Sequence, residues 1–138
     1  GNVYKSMLNK EVSITAGGTN LYIMLFGTSY TPNKDTHRYK SDVTNEISGT
    51  GYTAGGLQLT NVALSYSAGV LSISCDAPNW ANSTIGPVGG FAIYDRTAGT
   101  DATRPLIGYG LLDTPTSSTA SNFTITPTGN VLLKFTAS

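Results

Sequence analysis

Apolar residues recur along this chain in short runs of period two, or in brief unbroken blocks, each bounded by Gly, Pro or Asn. Such runs predict strands, because an extended chain turns successive side chains to opposite faces, whereas a helix needs apolar spacing near 3.6 over ten or more residues. "NLYIMLFG" (20–27) is almost continuous and predicts a strand buried on both faces. "GLQLTNVALSYS" (56–67) alternates Leu57 and Leu59, then Val62, Leu64 and Tyr66, with a phase slip between that predicts a bulge. "AGVLSISCD" (68–76) follows at once, and the "SAG" before it reads as a tight hairpin turn. "GGFAIYDR" (89–96), "PLIGYGLLD" (105–113) and "NFTITPTGNVLLKFTA" (122–137) complete the set, with Pro127 and "TGN" splitting the last run into a hairpin or breaking one edge strand.

Helical signals are sparse. "NVYKSMLNKEVS" (2–13) predicts a short amphipathic helix with Val3, Met7 and Leu8 on one side and Val12 closing it. "NKDTHRYKSDVTN" (33–45) predicts one or two turns, with Asn33 or Asp35 as cap and Tyr39 and Val43 turned inward. Neither is long enough to build a second layer. The expectation is therefore all-β: a single domain over residues 1–138, an antiparallel β-sandwich or partly closed barrel of about seven to eight strands, with a short N-terminal helix and a long loop carrying a helical turn.

Composition changes the picture in one place. Charged residues are 12% of the chain, about half the ordinary share of roughly 25%, and Ser, Thr, Gly and Asn take their place. Of the 8 Lys+Arg and 8 Asp+Glu, Lys34, Asp35, Arg38, Lys40, Asp42 and Glu46 fall between residues 29 and 56, together with the single histidine, His37. Net charge is zero. That removes long-range self-repulsion, and it argues against nucleic acid as a partner, since phosphate neutralisation needs a basic face. Cys75 is alone, so no intrachain disulfide forms, and its alternating strand context reads as a small buried hydrophobe. No signal peptide or membrane-spanning run is present. The opening "GNVYKS" reads as a chain whose initiator Met was removed, and it misses the myristoylation pattern because Lys5 stands where Ser or Thr is needed.

No chemical constellation is complete. His37 in "KDTHRYK" is the one candidate base, and neither "GTSYT" nor "GPVGG" is a nucleophile elbow; it reads as a surface or hydrogen-bonding loop residue. Zinc wants several His or Cys ligands, and "NKDTHRYKSDVTNE" lacks the spacing of a calcium loop. Asp76, Asp95, Asp101 and Asp113 sit at strand ends or in loops with nothing to select a catalytic pair. "GGTN" and "GTGYTAGG" lack the Lys-Ser/Thr of a phosphate loop, so their glycines read as turns and bulges. No cofactor and no metal are expected. Tyr22, Tyr66, Tyr94, Tyr109 and Phe91 read as core or cross-strand packing, whereas Tyr30, Tyr39, Tyr52 and Trp80 lie in or beside loops. Trp80, in "DAPNWANSTIG", is weighed equally as a core cap and as a contact residue.

The stretch "IMLFGTSYTPNKDTHRYKSDVTNEISGTGYTAGG" resembles a segment common in small structural proteins of tailed bacteriophages, with "SGTGYTAGG" its most specific part. "FAIYDRTAGTDATRPLIGYG" resembles the same family, in which a strand, a turn and a second strand form a hairpin. The resemblance implies a virion component of the head decoration (cement) type: non-enzymatic, seated on the outer surface of the capsid, bound to the major capsid protein, and self-associating as a dimer or trimer, with neither nucleic acid nor membrane as partner. Under it, Arg38, Tyr39, Lys40 and Asp42, with Trp80, are the candidate interface residues, against the alternative of a loop that merely caps the sandwich. The competing expectation is a carbohydrate- or receptor-binding module of a tail or head fibre, using Trp80 and the loop tyrosines, or another minor virion component.

Overall fold

The computed structural model describes residues 2–97 and 99–136. Expectations at Gly1, and at Ala137 in the last strand, lie outside the described residues. After helix α1 (Asn2–Leu8) come strands β1 (Leu21–Gly27), β2 (Leu57–Gln58), β3 (Ala63–Ser67), β4 (Val70–Ser74), β5 (Asn79–Asp95), β6 (Leu106–Thr124) and β7 (Val131–Thr136). They form two antiparallel sheets, one in the order β2-β1-β5-β6 and one in the order β3-β4-β7. The expected sandwich is present and no barrel closes.

The apolar run of β1 explains the middle of the molecule. Leu21, Ile23 and Leu25 point into the core between the sheets, where Ile73, Cys75, Ile93 and Ile107 meet them. Met24 and Phe26 point the other way, into a second cluster with Tyr30, Val43, Ala92 and Tyr94. The strand reads as unbroken because both of its faces are covered. The second cover is the loop 29–56 itself. A segment without long helices thus supplies a third layer, which the short helical patterns had argued against.

Several connections differ from expectation. The phase slip between Leu59 and Val62 is no bulge. There the chain leaves one sheet for the other, turning at Asn61 with φ of 51°. Likewise the last run is neither a hairpin nor one broken strand, because 125–130 carries the chain from β6 in one sheet to β7 in the other. The "SAG" turn is as expected: Ala68 and Gly69 both have positive φ, 48° and 80°, the pattern of a two-residue hairpin turn. The hairpin around "TAGTDATRP" is present too, but its arms are 17 and 19 residues long and run far past the expected strands. Helix α1 is also rotated from its predicted face. Ser6 is buried and Val3 packs on the core, while Met7 and Leu8 face outward, Leu8 at 85% exposure.

Candidate interaction surface

The charged loop was the leading candidate for a contact site, and its geometry gives every charge an internal partner. Asn33 begins the segment as an Asx-type turn, its Oδ1 accepting from the amides of Asp35 and Thr36. Lys34 and Asp35 pair with each other on the surface. Arg38 donates to both carboxylate oxygens of Glu11 at 2.7 and 2.8 Å, tying the loop to the N-terminal segment. Its guanidinium lies over the half-buried ring of Tyr39, 5.0 Å from the centroid. The Asp42 carboxylate caps the short 3₁₀ turn Lys40–Asp42, accepting from the amides of Arg38 and Tyr39 at 2.7 and 2.8 Å.

Lys40 is buried and is the hub. Its Nζ lies 2.7 Å from Asp101 Oδ2 and 3.8 Å from Glu46 Oε2, and 5.7 Å from the Tyr94 ring centroid. Arg104 meets the other Asp101 oxygen at 2.8 Å. The Lys40 hydrogen bond, reinforced by Arg104, holds the Asp101 carboxyl below the usual range. Backbone pairing runs alongside: Lys40 N donates to Arg104 O, and Leu106 N to Arg38 O. Glu46 accepts from Tyr52 Oη and from the Gly55 amide, and Tyr52 Oη accepts in turn from the Leu25 amide. Burial pushes both Tyr52 and Tyr94 up, Tyr94 to about 12, so both stay neutral hydrogen-bonding groups.

The glycines of "SGTGYTAGG" belong to the same closure. Gly56 has φ of 78°, and a Cβ there would sit 1.9 Å from the carbonyl oxygen of Ile23, so the loop crosses β1 at backbone contact distance. His37 is likewise engaged. Its Nδ1 faces the Tyr30 hydroxyl at 2.8 Å and the Asn33 amide at 3.2 Å. A backbone amide can only donate, so Nδ1 is the acceptor and the ring proton sits on Nε2.

Trp80 is not in a loop. It lies in β5, fully buried, against Phe123 and beneath Tyr52, at 6.1 Å centroid distance from each. Of its two readings, the core one holds, and Trp80 offers no surface to a partner. The loop tyrosines follow suit: Tyr30 is buried, and Tyr39 and Tyr52 are half-buried. Of the tyrosines expected to pack, Tyr94 is buried with Tyr22 half-buried against it, whereas Tyr66 at 72% and Tyr109 at 42% exposure are left outside.

The exposed large apolar side chains lie elsewhere, on α1 (Tyr4, Met7, Leu8), on β3 (Leu64, Tyr66) and on β6 (Tyr109, Leu111), and those of β6 stand beside hollows. Tyr109 and Leu111, the latter 62% exposed, stand on that edge strand beside the loop that covers β1 and the end of β5. Two hollows flank them and share Tyr30 and Pro32. One, of about 350 Å³, is lined by Val3, His37, Tyr109, Leu133 and Phe135. The other, of about 270 Å³, is lined by Phe26, Leu111, Leu112 and Pro115. Sequence reasoning missed this surface because Tyr109, within a strand, reads as core or cross-strand packing, and only the sheet order shows that β6 is an edge. Among the described residues no three His, Cys, Asp or Glu side chains converge on a metal site, and no helix is long and apolar enough to cross a membrane. Asp95 is buried but committed: burial alone would raise its carboxyl, yet donors from Ser13 N and from Thr97 outweigh that and hold it low. Compared with family models, curated proteins and solved structures, the chain gives no match.

Proposed function

We propose that this protein is a contact module of a bacteriophage head, a decoration protein that binds the outer surface of the assembled capsid through the apolar edge around Tyr109 and Leu111. The observation that carries the reading is the division of labour on the surface: the charged groups of the 29–56 loop are tied up within the chain, while apolar side chains beside two hollows are left open. Exposed apolar patches on otherwise polar proteins mark contact surfaces. In this reading Arg38, Tyr39, Lys40 and Asp42 act by fixing the shape of the loop beside the contact, and Trp80 by holding the β5–β6 hairpin rigid. The fibre-type alternative loses its main residue with the burial of Trp80.

The physical action is linkage. A protein that binds the assembled lattice better than free subunits stabilises the lattice, by about 2.7 kcal/mol per site when its free concentration is 100 times Kd. Symmetry repeats that increment around the shell. The test is to measure copy number in purified virions, then to heat particles lacking the gene. Hundreds of copies and fragile heads support the reading; a particle without this chain, or heads equally robust without it, overturns it.

A further inference from the structure

Four strand edges border the two sheets, and three of them are guarded. An unpaired edge presents free amides and carbonyls, and proteins blunt it with short strands, charge, Pro, register breaks or a covering segment. Strand β2 is two residues long. The opening of β6 is covered by Arg38–Lys40, and its length carries register shifts, Asp113 and Pro115. Strand β7 bears Lys134, and α1 leans on it with Tyr4 at 6.2 Å from Phe135. Strand β3 has none of these. "ALSYS" is uncharged, lacks Pro, and pairs with β4 over all five residues without a shift. Among the described residues its outer edge accepts no backbone partner.

Its side chains add a second observation. Leu64 pairs with Ile73, and Tyr66 with Leu71. Residues opposed in a ladder share a face, and Ile73 points into the core, so Leu64 and Tyr66 point to the core side as well. Yet they are 37% and 72% exposed. These apolar side chains are thus left open on the face by which β4 packs into the core.

We propose that β3 pairs antiparallel with β3 of a second copy about a two-fold axis near Ser65. Each Leu64 then lies opposite Tyr66 of the second copy, gathering four apolar side chains on one face and joining two three-stranded sheets into one of six. A two-fold contact closes on itself and gives a dimer. Charge permits it, because the edge is neutral and the chain has no net charge to repel its twin. Area sets its strength. A five-residue strand spans about 17 Å, and a contact that long and one strand wide buries far less than the roughly 800 Å² per partner of a standard stable interface. The dimer is thus weak in dilute solution and populated when copies are concentrated or held side by side. This inference is independent of the capsid reading.

The test is sedimentation velocity of the intact protein over a wide concentration range, for wild type and for Tyr66→Lys. Tyr66 is largely exposed, so the variant keeps the wild-type circular dichroism and Tm, while losing two Leu–Tyr pairs and weakening self-association about tenfold or more. Because Cys75 is buried, a nitroxide attached to a Ser65→Cys variant reports the pairing cleanly, by short-range dipolar broadening that grows with concentration. A wild type that stays monomeric throughout, a Tyr66→Lys variant that dimerises as strongly as wild type, or a dimer without broadening overturns the proposal.

Discussion

The four-stranded sheet has β1 and the Gly90–Asp95 end of β5 covered on both faces, whereas the three-stranded sheet leaves its edge strand β3 exposed. In the first, apolar residues face the sandwich core on one side and the 29–56 loop on the other, and Lys40, Glu46 and Asp101 clamp that loop in place. In the second, β3 exposes all five of its residues, so its stability in the lone chain comes from its ladder to β4. The contrast teaches where a low-charge protein needs its charge. Here Arg38, Lys40, Glu46 and Asp101 fasten a segment that lacks regular structure.

The comparison can be broken most severely at Trp80. Trp80→Ala empties the core at the open end of the long hairpin, where Trp80 pairs with Phe123, and is expected to cost about 3–5 kcal/mol in urea unfolding. A loss below about 1 kcal/mol would mean that the Tyr52–Trp80–Phe123 packing is unimportant. Next come two glycines of equally positive φ. Gly56→Ala places a methyl against the Ile23 carbonyl and is expected to cost about 2–4 kcal/mol. Gly69→Ala, in the β3–β4 turn with open space around it, carries only the φ penalty of about 1 kcal/mol. Equal losses would remove the case for close crossing of β1 by the loop.

A pH series sharpens the same contrast. The Asp95 and Asp101 carboxyls are both depressed in the fold. Their contribution is complete above the unfolded Asp value near 3.9 and is lost as pH falls through the lower folded values. The urea midpoint is therefore expected to be flat from neutral pH down to about pH 5 and to fall below about pH 4, and Asp95→Asn should flatten that slope. The smallest effect belongs to Lys34→Ala. That pair is exposed and between neighbours in sequence, so its Tm should match wild type, while Lys40→Ala shows a clear drop.

What could be read from the sequence follows from the same division. Strand β1 was legible because an unbroken apolar block has few alternatives, and the "SAG" hairpin because two residues cannot turn otherwise. The first half of β5 was not. "NWANSTIGPV" interrupts its inward residues Trp80, Ser83, Ile85 and Val88 with register shifts and with positive φ at Asn82 and Gly86, which erases period two. The far half of β6 is Ser and Thr with hardly any apolar face; its buried Ser118 bonds to Ser83 at 2.7 Å, a pairing across 35 residues that no local pattern announces. The internal pairing of the loop charges was hidden for the same reason. Arg38 looked free because Glu11 is 27 residues away, and Lys40 because Asp101 is 61 away. Residue type signals that a charge needs a partner but does not say whether that partner is within the chain or outside it.

Under the capsid proposal, that last ambiguity is tested most directly by binding to heads purified from particles lacking this gene. A variant carrying Tyr109→Lys and Leu111→Lys changes only exposed side chains of β6, so it should fold with wild-type Tm and yet fail to bind, while Lys34→Ala binds as wild type. Binding of the double variant at the wild-type level, or its loss on Lys34→Ala, would contradict the assignment of contact to the apolar edge.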